Sequence, residues 1–146
     1  MSPPINIGKQ KIPNLETYFP DAAFACGGIT SFLQEKMTCD FQNLYSGDEG
    51  YIVRCKQCGH YQVAFISTML TLTENDFLFF CEQVHYKAQH AHEMGNNHSK
   101  MVMIGTPSTD VQLILTPIEL IRLHKMVEQA TDEITVQDML MLFQKV

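Results

Sequence analysis

The alternation of apolar and polar residues in the middle of the chain predicts a β-meander. Two short segments, 41–45 and 51–55, flank a turn-rich stretch, and apolar residues alternate with polar or small ones over 61–65. This period of two is typical of strands that bury one face. With a fourth short strand at 69–71, the pattern predicts four consecutive antiparallel strands.

The period then changes to that of helices. Thr73 stands where an N-cap is expected, with Asp76 at the third helical position, and apolar residues spaced three and four apart predict a helix over 74–86. A stronger signature follows at 116–119, which reads Thr-Pro-Ile-Glu. Its capping threonine, N-terminal proline and glutamate at the third position predict a helix over 117–130.

The remaining elements complete an α+β fold. Segments 101–104 and 111–115 predict a hairpin between the two helices, and a last helix is expected to begin near Thr135. The apolar residues expected to pack that helix are Met139, Leu140, Leu142 and Phe143. The fold class is therefore α+β, with an antiparallel sheet of about six strands, meander plus hairpin, and two to three helices packed on one face.

The first forty residues differ from the rest of the chain. Four prolines punctuate them, and their apolar residues show no sustained period. We interpret residues 1–40 as an N-terminal arm, with a short helix at 31–37, and residues 41–146 as a single α+β domain. A chain of 146 residues is long enough to bury a core without a disulfide framework.

Charge and composition exclude several classes of protein. The net charge is −6, with only 10 basic residues, which argues against binding to nucleic-acid phosphates; Lys56, beside Arg54, is the best-placed exception. No apolar run approaches the roughly 18 residues of a membrane span, and no secretory signal is visible. We therefore expect a cytoplasmic protein with reduced thiols, no nucleic acid and no membrane, and a protein partner or self-association.

The sequence Cys55-Lys56-Gln57-Cys58-Gly59-His60 has the spacing of a metal-binding knuckle. Two cysteines separated by two residues can direct both sulfurs to one point, and the following glycine lets the backbone fold back toward them. In thioredoxin-like redox sites this motif opens a helix, whereas here a strand follows. The context favours half of a zinc-ribbon-like site, although plain thiols and redox use stay open.

A zinc site of this kind needs two further ligands, and the chain has no second C-x-x-C motif. Cys39 is the preferred third ligand because the hairpin between it and the knuckle returns the chain to the same end. The fourth is His60, or else His85, His90 or a water molecule. The predicted metal ligands are thus Cys39, Cys55, Cys58 and His60, whereas Cys81 is expected to be an ordinary buried thiol.

The knuckle and its surroundings also carry a family resemblance. Residues 50–65, continuing through 70–73 and Phe77, and later 115–120, resemble a small uncharacterised bacterial family of unknown function found mainly in Bacteroidota. The resemblance implies a cytosolic bacterial protein and transfers no catalytic residue. In that family a glycine follows the Ala-Phe pair, whereas Ile66-Ser67 stands here, which disfavours a tight two-residue hairpin.

The remaining chemistry is sparse. His85, His90, His92 and His98 are crowded together, and Glu82 precedes His85 by three residues; a solvated helix end is the ordinary interpretation, and a second ligand set or a pH-sensitive patch is the alternative. No G-x-S-x-G, P-loop, G-x-G-x-x-G or H-E-x-x-H motif is present. The sequence hypothesis is therefore a zinc-stabilised binding or regulatory module, with a metal- or thiol-dependent enzyme of unknown substrate as the alternative.

Overall fold

The computed structural model describes residues 39–145, and the chain divides into residues 1–39 and residues 40–146. The predicted N-terminal arm and its helix at 31–37 lie outside the described residues. The second unit combines antiparallel strands with helices. The predicted α+β class is therefore confirmed.

The described residues contain six strands in two sheets. The strands are β1 (Phe41–Gly47), β2 (Gly50–Cys55), β3 (Tyr61–Phe65), β4 (Thr68–Leu72), β5 (Val102–Gly105) and β6 (Gln112–Leu115). The first four form an antiparallel meander in chain order, and β5 pairs only with β6. The six predicted strands are present, but they form a four-stranded sheet and a separate two-stranded sheet.

Burial follows the alternation that predicted the meander. Ile52, Val63 and Phe65 are buried, and Tyr61 stacks on Phe77 of the following helix with ring centroids 4.2 Å apart. Gly50, opposite Phe65, is required by close approach, because a Cβ there would lie 1.8 Å from the carbonyl oxygen of Ala64. These contacts fix the meander against the helices.

A tight hairpin joins β3 to β4, contrary to the expectation from Ile66-Ser67. Phe65 pairs with Thr68, so the loop has only two residues. Ile66 adopts a positive φ of 53° and donates its N–H to Glu49 at 2.8 Å. The turn therefore forms without glycine, and the isoleucine takes a conformation that β-branched residues rarely adopt.

Two α-helices begin at the predicted caps. α1 (Glu74–Gln89) starts after Thr73, whose side chain accepts a hydrogen bond from the N–H of Asp76, and a 3-10 turn (Ala91–Glu93) follows it. α2 (Pro117–Gln144) starts with a complete capping box formed by Thr116 and Glu119. Both predicted N-termini are confirmed.

α2 continues through the segment where a break was expected. The hydroxyl of Thr131 donates to the carbonyl of Val127 at 2.8 Å, and that of Thr135 donates to the carbonyl of Thr131 at 3.0 Å. Both threonines thus bond backward along one helix instead of capping a new one. The residues expected to pack the last helix are exposed: Met139, Leu140, Leu142 and Phe143.

The core lies between the sheets and the inward stripes of both helices. α1 contributes Phe77, Phe80 and Val84, which have the spacing of three and four that predicted this helix, and α2 contributes Leu120 and Leu123 among others. Neither described helix combines the length and apolarity that a membrane crossing requires.

Candidate metal centre

The backbone between β2 and β3 folds into a tight knuckle. The N–H of Cys55 donates to the carbonyl of His60 at 2.8 Å, and the N–H of Gly59 donates back to the carbonyl of Cys55 at 2.9 Å. Gly59 has a φ of 72° with open space where a Cβ would stand. This left-handed position is one that glycine adopts without penalty. The glycine after the second cysteine therefore has the role that its place in the motif predicted.

Backbone N–H groups converge on the sulfur of Cys55. The N–H of Cys58 lies 3.5 Å from this Sγ, and the N–H groups of Gln57 and Gly59 also donate toward it. Burial acts to raise the pKa of the Cys55 thiol, but these hydrogen bonds, together with one from the Cys58 thiol, outweigh burial and lower it. The knuckle is therefore built to stabilise a thiolate at Cys55.

Cys58 behaves in the opposite way. Burial raises the pKa of its thiol, as do its hydrogen bond to Cys55 and the negative charge there, whereas the N–H of His60 acts to lower it. Both cysteines are thiols in the structure. A bound cation would displace the protons of both thiols and stabilise both sulfurs as thiolates.

Polar contacts attach the start of β1 to the knuckle. Asp40 donates its N–H to Oε1 of Gln57 at 2.8 Å, and its carbonyl accepts from the N–H of Lys56 at 2.9 Å. Its carboxylate also lies 2.8 Å from Nζ of Lys56. The first strand thus returns to the knuckle end of the meander, as the hairpin argument expected.

The other two predicted ligands, Cys39 and His60, differ in their surroundings. Cys39, which belongs to the first unit, is disulfide-bonded, so thiolate ligation by Cys39 would first require reduction of that bond. The disulfide also differs from the expectation of reduced thiols. Nδ1 of His60 is buried, and residues 39–145 offer it no hydrogen-bond partner. An orphaned ring nitrogen of this kind is compatible with a ligand role.

The alternative fourth ligands have other partners. Nδ1 of His90 lies 2.8 Å from the carbonyl oxygen of Tyr86, one turn back on α1. His85 lies beside His124 of α2, with Nδ1 of the first 3.0 Å from Nε2 of the second. Both histidines therefore have contacts on the helices that do not involve the knuckle.

A second group of possible metal ligands includes His85, which the sequence analysis offered for a second ligand set, together with two residues that it missed. Within residues 39–145, one set of three side chains places its ligand atoms within 4.8 Å of one another: His85, His124 and Glu128. The signal available in the sequence was the spacing of four between His124 and Glu128, which puts both on one helix face. Their meeting with His85 depends on how the two helices pack, which no local pattern shows.

A model of a family of unknown function, DUF6686, matches residues 37–144 of the chain. No curated protein and no solved structure was found to match the chain.

Proposed function

The chain belongs to the DUF6686 family of unknown function, and we propose that it is a small binding or regulatory module whose Cys55–Cys58 knuckle holds a structural zinc ion. The observation that carries the proposal is the convergence of backbone N–H groups on the sulfur of Cys55. Such groups stabilise thiolate, which is the form of cysteine that binds zinc.

Two further ligands would close a tetrahedral site. His60 is the nearer candidate in sequence, and the orphaned state of its buried Nδ1 supports it. Cys39 is proposed as the third ligand on the sequence argument alone, with its disulfide reduced. The proposal assigns the protein to the reducing cytosol of a bacterium, where thiolates persist and disulfides are rare.

The expected partner is a protein or a second copy of the chain. The two basic side chains nearest the knuckle already have partners. Lys56 forms an ion pair with Asp40. Arg54 lies 5.5 Å from the centre of the Tyr61 ring and 4.0 Å from the carboxylate of Glu74. The net charge of −6 further opposes nucleic-acid phosphates.

Elemental analysis of protein purified without a histidine tag tests the zinc assignment. Cys55→Ser and Cys58→Ser should each lose about one equivalent of zinc relative to the wild type, because a lone thiolate of the pair holds the ion poorly. Cys81→Ala is the matched control, since Cys81 lies on α1, and it should keep the wild-type zinc content. Equal zinc in the wild type and both serine variants would reject the assignment.

Removal of the metal should have a limited structural effect. A structural zinc supplies on the order of 10 kcal/mol of apparent binding free energy, but the core cluster of this chain lies around the sheets and helices rather than the metal. Chelation should therefore lower the melting temperature and increase hydrogen exchange over 55–61 without unfolding the domain. Unchanged exchange there, with a Cys55–Cys58 disulfide forming instead, would favour the thiol-dependent enzyme.

A further inference from the structure

We propose that His85, His124 and Glu128 form a second metal site, for zinc or a similar divalent transition metal, in the cleft between α1 and α2. This site is separate from the cysteine knuckle and does not depend on it. Its ligands are two imidazole nitrogens and one carboxylate oxygen, whose ligand atoms all lie within 4.8 Å of one another.

The distances match those of a tetrahedral ion. Nδ1 of His85 lies 3.0 Å from Nε2 of His124, which in turn lies 3.5 Å from Oε1 of Glu128. Zinc binds nitrogen and oxygen at about 2.0–2.1 Å, so two ligands across a tetrahedral angle are about 3.3 Å apart. A small shift of each side chain would let all three contact one ion.

More hydrogen-bond acceptors than donors meet around Nε2 of His124. Nε2 of Gln89 lies 2.9 Å from Nε2 of His85. Because an amide nitrogen donates, this ring nitrogen of His85 accepts the hydrogen bond. The proton of the neutral His85 ring is therefore on Nδ1. Nε2 of His124 then accepts a hydrogen bond from this Nδ1–H and also lies 3.5 Å from Oε1 of Glu128, a second acceptor. A metal ion bound by Nδ1 of His85, Nε2 of His124 and the Glu128 carboxylate would accept lone pairs from all three side chains.

Gln89 is also positioned to support a metal-bound His85. If Nδ1 of His85 binds the ion, its Nε2 carries the proton and needs an acceptor. Rotation of the Gln89 amide places its oxygen where its nitrogen now lies, 2.9 Å away. Metal-binding histidines almost always donate their second N–H to such a partner, which fixes the tautomer and the ring orientation.

The helices hold the ligands at the side of an open cleft. His124 and Glu128 are four residues apart on α2, and His85 and Gln89 are four apart on α1, so each pair occupies one helix face. The cleft has a volume of about 570 Å³ and is also lined by Cys81. Burial raises the pKa of this thiol to about 12, so Cys81 is a neutral thiol hydrogen-bonded to Thr131.

Ligand type and number decide the class of ion. Imidazole with one carboxylate suits zinc, nickel or copper better than calcium or magnesium, which prefer sites made only of oxygen ligands. Three protein ligands leave a coordination position open to water from the cleft. Such open sites with two histidines and one glutamate are the kind that bind an exchangeable ligand on zinc.

The test uses full-length protein that carries Cys55→Ser and Cys58→Ser, so that the knuckle contributes no zinc binding. Titration of this variant with zinc alone, followed calorimetrically, should give one equivalent bound. Adding His124→Ala or His85→Ala should weaken the affinity at least about 100-fold, since even an outer-shell partner is worth about 10- to 100-fold. His90→Ala is the matched control, because His90 lies at the same end of α1, with its Nδ1 2.8 Å from the carbonyl oxygen of Tyr86.

The outcomes separate this site from the knuckle. No zinc binding by the double serine variant, or equal weakening by His90→Ala and His124→Ala, would overturn the second site and leave the knuckle proposal standing. If the serine variant does not fold, cobalt titration of the wild type replaces it. Cobalt bound at the knuckle gives a thiolate charge-transfer band. We expect the wild type to bind a further equivalent of cobalt without that band, and the Glu128→Gln variant to lose this further equivalent. If Glu128→Gln still binds it, the proposal is contradicted.

Discussion

Ile66 has a backbone conformation that glycine normally supplies. Its φ is 53°, and its side chain is exposed, so nothing gained by packing explains its presence in the turn. A non-glycine residue held in this region typically costs about 1–3 kcal/mol, and glycine in turn loses about 0.5–1 kcal/mol more backbone entropy on folding. Ile66→Gly should therefore stabilise the protein by about 1 kcal/mol, measured by urea denaturation.

Ser67 provides the matched control for this prediction. It is the second residue of the same two-residue loop. Among the described non-glycine residues, positive φ is found at Ile66 and not at Ser67. Ser67→Gly relieves no strain, so it should be neutral or destabilising. Equal stabilisation by both glycine variants would show that the effect is not local to the positive φ of Ile66.

At the scale of elements, the capping box of α2 is coupled to an ion pair. The carboxylate of Glu119 accepts from the N–H of Thr116 at 2.7 Å and contacts Nζ of Lys100 at 2.6 and 2.8 Å. Partial burial acts to raise the pKa of Glu119, but the contacts with Lys100 and the hydrogen bonds with Thr116 outweigh it and lower the pKa. This carboxylate thus joins the loop before β5 to the start of α2.

The sign of the pH dependence follows from the lowered pKa. A carboxyl group with a lower pKa in the folded state contributes stability above its unfolded pKa, and that contribution is lost as the pH falls through the folded pKa. Glu119→Gln keeps a capping side chain but not the charge, so it should cost about 1 kcal/mol at neutral pH after allowance for screening. The difference from the wild type should vanish in acid, as measured by urea denaturation against pH.

A double-variant comparison checks the origin of this effect. Lys100→Gln should reproduce most of the loss, and the Lys100→Gln/Glu119→Gln protein should lose little more than either single variant. Fully additive losses would contradict an interaction between the two side chains.

The two halves of α2 differ in their contribution to the core. Leu123 is fully buried, whereas Phe143 is 77% exposed near the end of the helix. Leu123→Ala should cost about 2–5 kcal/mol, and Phe143→Ala less than about 0.5 kcal/mol, by denaturant unfolding. A large loss for Phe143→Ala would show that the distal half of α2 is covered by a contact that the described residues do not make.

Local chemistry explains what the sequence predicted well. The capping residues Thr73 and Thr116, the alternation of β3 and the folded-back glycine at position 59 each depend on neighbours within a few residues. The continuity of α2 was missed because threonine suits both an N-cap and a helix interior, and only the hydrogen bonds of Thr131 and Thr135 decide between them.

At the scale of the whole molecule, prediction failed where distant segments meet. The division of six strands into two sheets was not foreseen, and the pairing of His85 with His124 joins residues that are 39 positions apart. The knuckle could be found because both cysteines lie within one turn. Cys39 and His60 were named from the sequence as further ligands, and their role stays a prediction because it depends on more than the spacing of the motif.

Zinc X-ray absorption spectroscopy tests the central claim, that Cys55 and Cys58 together bind zinc. The measurement uses tagless protein carrying His85→Ala and His124→Ala, which removes the histidine site from the signal. We expect retained zinc with at least two sulfur neighbours at about 2.3 Å, and loss of that sulfur shell in the further variant Cys55→Ser. Zinc surrounded only by nitrogen and oxygen at about 2.0–2.1 Å, or no retained zinc, would contradict it.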